Sequence, residues 1–307
     1  TSVMTFTATA EAIVSCGAQP VLVDVDPRTL NIDAAALERA VSQDPLIKAV
    51  MPVHYGGQAC QMERIERICR PRGIFIVEDA AHALPTSRGN RRVGGIGDIT
   101  VFSFYANKTL TTGEGGMAAT NNGALADRMR VTRLHGITKA PGEPGHAVPP
   151  PWQYDVTAKG SKRNMPDIAA AMGIAQLARC DEMHRKRIDI ATAYFEGLQC
   201  LPLQLPYHEE SIELSAWHLF VIQLELARSP MSRNDFAAAL RKSGIETSVH
   251  YKPLHMHTYW ANELGLPLGT FPIAENAYER ILSLPIHSRM TRPDVLRVCD
   301  AVRRLLT

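Results

Sequence analysis

The stretch KAVMPVHYGGQACQMERIERICRPRGIFIVEDA, residues 48–80, decides the architecture. Its ends, KAVMPVHY (48–55) and IFIVEDA (74–80), are short β-branched apolar runs of the kind that form buried strands. Between them QMERIERICRPRG (61–73) predicts a helix that stops at Pro71–Gly73. Strand, helix and strand make one βαβ unit, whose two strands lie parallel because the helix carries the chain back. The alternation extends in both directions. QPVLVDVD (19–26) predicts a strand and AAALERAVSQ (34–43) a helix, while DITVFSFY (98–105) and MAATNN (117–122) predict further strands. The fold class is therefore α/β, a mostly parallel sheet with helices on both faces.

Beyond about residue 138 the pattern changes. APGEPGHAVPPPWQY (140–154) is rich in Pro and Gly and reads as a surface loop. A long helical stretch follows, NMPDIAAAMGIAQLARCDEMHRKRIDIATAYFEGL, with Pro166 placed for a first turn. Its residues Ile168, Ala171, Met172 and Ala175 fall at i, i+3, i+4 and i+7, the spacing of one apolar helix face. Strand-like runs (SAWHLFVIQLEL, IETSVHY) and helices (RNDFAAALRKSG, RPDVLRVCDAVRRLL) then predict a smaller α+β domain. The expected division is a large domain over residues 1–187 and a small one over 188–307.

Composition narrows the function classes. The 307 residues carry a net charge of +2, with 45% hydrophobic and 21% charged residues, so neither nucleic acid nor an anionic membrane is indicated. No apolar run approaches the roughly 18 residues of a membrane span. The six cysteines are scattered without a C-x-x-C pair, which fits reduced thiols in a cytoplasmic protein.

Ligands of open α/β sheets bind beyond the carboxyl ends of the strands. Asp79 ends one predicted strand, and Lys108 follows another in SFYANKTLTTGEGG (103–116). The glycines come after the lysine, the reverse of a phosphate-binding loop. A lysine at this edge can form a Schiff base with an aldehyde cofactor if its surroundings lower its pKa. A carboxylate nearby can keep a cofactor ring nitrogen protonated, the electronic device of pyridoxal phosphate chemistry. The residues alone leave open that Lys108 is a solvated surface lysine and that Asp79 caps the next helix. In SVHYKPLHMHTYW, the pair His255 and His257 could bind a metal if a third ligand converged, or be polar loop histidines.

Several stretches resemble one family throughout the chain. VEDAAHA, GDITVFSFYANKTLTTGEGGM, GAQPVLVDVDPRTLNID, PVHYGGQACQM, RLHGI, KRNMPDIAAAMGIAQL, SAWHLFVIQL, GIETSVHYKPLH and ERILSLPIH occur in order. Together they resemble the DegT/DnrJ/EryC1/StrS sugar aminotransferases, fold-type I enzymes dependent on pyridoxal 5'-phosphate. The resemblance implies a seven-stranded-type sheet in the large domain and amination of a nucleotide-diphosphate keto sugar. A 4-keto-6-deoxyhexose is the expected substrate and L-glutamate the expected donor, serving amino-sugar and surface polysaccharide biosynthesis.

By the same resemblance Lys108 binds the cofactor covalently and, once released, shuttles a proton. The family's dehydratase branch carries histidine there. Asp79 pairs with the pyridine nitrogen, His82 lies near the phenolic oxygen, and Ser103 donates to the phosphate. Phe6 matches an aromatic that stacks on the ring, although a core aromatic is an equal reading of the residue itself. Asn164 matches an asparagine that reaches the neighbouring subunit's cofactor phosphate, which implies a homodimer with shared sites; otherwise it caps the following helix. Lys162 and Arg163 match positions able to meet a diphosphate, and His250 and His255 lie where the sugar nucleotide enters. Family members also carry several tens of residues ahead of the point matching Thr1, including a turn that holds the cofactor phosphate. Two readings of function therefore stand: an active aminotransferase, or a truncated relative retained as a binding or scaffold protein. A metal-dependent sugar enzyme using His255 and His257 is a third.

Overall fold

The structure, a computed structural model, describes residues 1–139, 152–208 and 211–307. The stretch at 48–80 folds as the βαβ unit its pattern demands. Strand Ala49–Val50 pairs in parallel with strand Phe75–Asp79, and the bridge between Val53 and Asp79 continues the pairing. The connecting helix Met62–Cys69 buries Met62, Ile65, Ile68 and Cys69 against the sheet. A 3₁₀ turn at Arg70–Arg72 ends it, and Gly73 takes the left-handed conformation (φ 65°) that turns the chain into the next strand.

Phe75–Asp79 pairs in parallel on its other side with Ile99–Ser103, in the register Val77–Ile99, Glu78–Thr100 and Asp79–Val101. Gly116–Ala119 completes the sheet but runs antiparallel to Ile99–Ser103. The reason is local. The segment after Ser103 folds back on itself, with Phe104 N–H bonded to the Gly115 carbonyl and Thr112 N–H to the Phe104 carbonyl. Such a return delivers an antiparallel neighbour without a crossover helix. QPVLVDVD makes only isolated bridges at Val23 and Val25 rather than a regular strand. Helix Ala34–Gln43 begins where the pattern sets it, with the Asp33 side chain accepting from Ala35 and Ala36 N–H.

The long helical stretch divides into Asp167–Leu177 and Cys180–Gly197. The single helical stretch is thus corrected to two helices, and the apolar face of the first is exposed. Ile168 is 84% exposed and Met172 44%, and no residue of the helix is buried. Periodicity marks an apolar face without saying what covers it, and Ile174 and Leu177 make the opposite side apolar too. Most of the Pro/Gly-rich 140–154 stretch lies outside the described residues. Tyr154, its last residue, opens strand Tyr154–Val156, paired antiparallel with Ile137–Lys139.

A second core forms from Ile190 to Leu306. Strand Phe220–Leu224 lies between Ile281–Leu284 and Leu203–Gln204, antiparallel to both. Helices Cys180–Gly197, Arg233–Lys242 and Arg292–Leu306 bury Tyr194, Phe236, Leu240, Val298 and Val302 against it. IETSVHY makes one bridge, Ser248 to Ser283, and is otherwise irregular. A third cluster joins Val3, Met4 and Val25 to Leu254, Trp260 and Phe271. It brings the chain start and the 250–271 segment together over the sheet edge.

Candidate active site

Strands Phe75–Asp79 and Ile99–Ser103 end at one edge of the sheet, and a cleft of about 470 Å³ opens there. Thr5, Phe6, Thr9, Asp79, His82, Ser103, Asn107, Lys108, His250 and Tyr251 line it. Lys108 sits in the turn after Ser103, its N–H bonded to the Tyr105 carbonyl at 3.0 Å. Burial lowers its amine pKa, an effect partly opposed by the facing Asp79 carboxylate. The amine is thereby brought toward its nucleophilic, unprotonated form.

Asp79 is fixed by two donors. Its Oδ1 accepts from Ala81 N–H at 3.0 Å and its Oδ2 from the Thr9 hydroxyl at 2.7 Å. Thr9 has spent its proton on Asp79, so the Thr5 hydroxyl, 2.9 Å away, donates to Thr9. A carboxylate offers about four lone-pair sites, so Asp79 keeps acceptor capacity for a ligand. The cap reading of Asp79 does not hold, since its residue neighbours form a turn and no helix begins there.

Glu78 points away from this arrangement and anchors it. Fully buried, it accepts from Gly97 N–H (2.6 Å) and the Thr100 hydroxyl (2.8 Å) on Oε1, and from His54 Nε2 (2.9 Å) on Oε2. Burial by itself would raise its pKa; the His54 hydrogen bond and the other donors outweigh burial and hold it below the usual carboxylate value.

His82 Nδ1 accepts from Gly56 N–H at 3.3 Å, which leaves the proton on Nε2 to be donated to the Tyr251 hydroxyl at 3.0 Å. Burial, then the charges of Lys108 and His250, push its pKa well below the ordinary histidine value. Phe6 is 60% exposed on the cleft wall, so it is not a core aromatic. Ser103 lies at the strand end, and His250 lines the cleft with Nδ1 2.8 Å from Ser283 Oγ.

The remaining expected residues lie elsewhere. His255 is corrected: it is buried, bonded through Nε2 to Glu275 at 3.0 Å and set edge-on to Phe271, because the short helical turn at Leu254–Met256 directs it into the core. It does not line the cleft. No group of three or more His, Cys, Asp or Glu among the described residues is arranged to hold a metal ion. Asn164 accepts from the Lys162 amine, and Arg163 N–H bonds to the Arg133 carbonyl; none of the three lines the cleft of its own chain. Asn164 is not a helix cap either, since Pro166 holds that position before Asp167.

Thr5, Thr9, Glu78 and Tyr251 were missed from sequence. Tyr251 stands beside His250 in a stretch already singled out, so its position was available. Thr9 meets Asp79 across 70 residues, and no local pattern marks such a contact.

These residues fit pyridoxal phosphate. The cleft offers an exposed aromatic face, an amine of lowered pKa, and an opposed carboxylate with free lone pairs at one end of a parallel pair of strands.

Comparison with known proteins shows the family. The model of the DegT/DnrJ/EryC1/StrS aminotransferase family matches residues 1–303. The chain is 44% identical over 309 residues to the spore coat polysaccharide biosynthesis protein SpsC of Bacillus subtilis, covering 100% of this chain and 78% of that protein. Among solved structures it resembles the putative sugar aminotransferase Spr1654 from Streptococcus pneumoniae in its PMP-form, with TM-score 0.90 and 30% identity over 99% of this chain and 78% of the other. Helicobacter pylori PseC, an aminotransferase involved in the biosynthesis of pseudoaminic acid, gives TM-score 0.91 at 27% identity, covering 99% of this chain and 78% of the other.

Proposed function

The chain belongs to the DegT/DnrJ/EryC1/StrS family of pyridoxal-phosphate-dependent sugar aminotransferases, and from that premise we propose that it moves the amino group of L-glutamate to the keto carbon of a nucleotide-diphosphate sugar. The sugar is a 4-keto-6-deoxyhexose and the product feeds surface polysaccharide synthesis in the cytoplasm. The observation that carries this reading is Lys108, of lowered pKa, facing Asp79 across one cleft.

When bound, pyridoxal phosphate supplies a protonated ring that withdraws electrons from the carbon being deprotonated. The chain's own residues do the rest. Lys108 would hold the cofactor's aldehyde carbon, and its amine, whose pKa burial lowers, would carry the proton to and from the reacting carbon. Asp79, held by Thr9 and Ala81, would keep the proton on the ring nitrogen. Phe6, His82 and Ser103 line the same cleft, where Phe6 would cover a face of the ring, His82 would lie beside it and Ser103 would donate to the phosphate. His250, which lines the cleft, would border the sugar.

Residues 1–187 form the domain that carries the cofactor, and residues 188–307 the smaller domain. The apolar helix Asp167–Leu177, without one buried residue, supports a homodimer in which a second copy covers it. That pairing brings Lys162, Arg163 and Asn164 of the partner subunit to the phosphate groups of the shared site. Four panels of keto sugars, differing in nucleotide and in keto position, test the assignment with L-glutamate as donor. The reading expects 2-oxoglutarate and an amino sugar in equal amounts from a 4-keto substrate, and a dimer by sedimentation. Glutamate turnover with no keto sugar accepted overturns the substrate class.

A further inference from the structure

Tyr251 lies in the cleft wall with its hydroxyl already fixed on one side. His82 Nδ1 takes the Gly56 N–H, so Nε2 carries the ring proton and donates it to Tyr251 Oη at 3.0 Å. The Tyr251 hydroxyl is therefore an acceptor toward His82 and must direct its own proton elsewhere. No acceptor among the described residues takes that proton, and the ring borders the cleft within 6.1 Å of Phe6. Burial, then the Asp79 charge, keep the phenol protonated far above neutral pH. Lys108, Asp79, His218, His250 and Tyr55 are the other titratable groups facing the pair, and the Tyr55 proton is spent on the His250 carbonyl.

The arrangement behind His82 is closely tied together. His218 packs against its ring with centroids 4.4 Å apart, and the segment carrying His218 is stitched to the Gly56–Gly57 turn by Ala216 N–H to the Gly57 carbonyl and Leu219 N–H to the Gly56 carbonyl. Trp217 adopts φ 48°, unusual for its size, and Arg187 holds its carbonyl at 2.9 Å. At Gly57, φ 101°, a Cβ would approach the His82 carbonyl to 3.0 Å and His218 N to 3.1 Å, so this contact needs glycine. His82 is thus held in one orientation and one tautomer, and the Tyr251 proton inherits its direction.

We propose that Tyr251 is a specificity-determining residue of this site, its hydroxyl donating a hydrogen bond to an anionic or carbonyl oxygen of the bound molecule, with His82 as the positioning residue that aims it. The inference rests on the cofactor reading above. The oxygen can belong to the cofactor's phenolic position or to the amino donor, and the two sources separate in one experiment.

Tyr251→Phe, His82→Leu and His82→Gln are each purified without cofactor, checked by thermal unfolding, and titrated with pyridoxal phosphate by visible absorbance, then with L-glutamate. Loss of one hydrogen bond to a charged acceptor weakens binding by about tenfold or more. If the acceptor is the phenolic oxygen, Tyr251→Phe loses about tenfold in cofactor affinity and the pH midpoint of the lysine-dependent band moves. If it is the amino donor, cofactor affinity is unchanged and the half-saturating L-glutamate rises about tenfold. In either case His82→Leu reproduces the loss, His82→Gln, whose amide can both accept and donate, restores it to within about threefold, and the Tyr251→Phe/His82→Leu double variant is no worse than either single one. The proposal is overturned if Tyr251→Phe leaves both titrations and the band's pH midpoint unchanged while wild type shows a normal band. The aiming role is overturned if His82→Leu binds like wild type. A wild-type chain that shows no lysine-dependent band overturns the cofactor reading itself and the proposal with it.

Discussion

Glu78 offers a test of what holds the sheet edge beside the cleft in place. Its carboxylate is fully buried and receives three donors: His54 Nε2, Gly97 N–H and the Thr100 hydroxyl, at 2.9, 2.6 and 2.8 Å. In Glu78→Leu all three lose their acceptor. A buried unpaired donor costs about 1–3 kcal/mol. The Thr100 hydroxyl can rotate to a new partner, and leucine regains some apolar burial, so the expected loss is about 3–5 kcal/mol. Glu78→Gln keeps the shape but must set one N–H against a donor, for a loss of about 1–2 kcal/mol. Urea unfolding of the cofactor-free protein, followed by far-UV circular dichroism, measures both. The pH dependence has a defined sign. The folded-state pKa of Glu78 is depressed, so its contribution is present above the unfolded glutamate value of about 4.3 and is lost as pH falls through the lower folded value. The gap between wild type and Glu78→Gln therefore narrows in acid. A Glu78→Leu protein within about 1 kcal/mol of wild type refutes the reasoning, because buried donors cannot lose their acceptor at that small a cost.

Two further perturbations separate structure from site. Thr9→Val removes the 2.7 Å hydrogen bond to Asp79 Oδ2, a charge-assisted bond worth about 1.5–3 kcal/mol, while Thr9→Ser keeps the hydroxyl; equal urea midpoints for the two variants contradict the assignment of Thr9. His255→Asn breaks a buried pairing with Glu275 and is expected to cost about 1–3 kcal/mol of stability with no change in KM for the sugar; a raised KM at full stability would return His255 to the substrate site.

Much of this architecture was legible in local sequence. The apolar runs at 48–55, 74–80 and 98–105 each contain a strand of one sheet, Ala49–Val50, Phe75–Asp79 and Ile99–Ser103, and their β-branching marks them in sequence. The strand ends single out Lys108 and Asp79 as candidates without settling their roles, whereas Ser103 enters only through the family resemblance. What the pattern could not convey was direction and partnership. Gly116–Ala119 is antiparallel because the Phe104–Gly115 segment closes on itself, a geometry decided by backbone pairing rather than composition. Ile168 and Met172 have helical spacing whether they face a core or a second chain. His255 and His250 stand five residues apart in one stretch, yet the turn at Leu254–Met256 sends one into the core while the other stays at the cleft. Thr9 and Tyr251 reach the site from opposite ends of the chain, and only tertiary structure brings them together.

The claim on which the rest depends is that Lys108 holds the cofactor. The most direct measurement incubates the chain with pyridoxal phosphate, reduces the adduct with borohydride, and locates the added mass by peptide mass spectrometry. The account predicts one labelled peptide, carrying the modification on Lys108, with the label lost in Lys108→Ala. Label spread over surface lysines, or retained in full by Lys108→Ala, contradicts it.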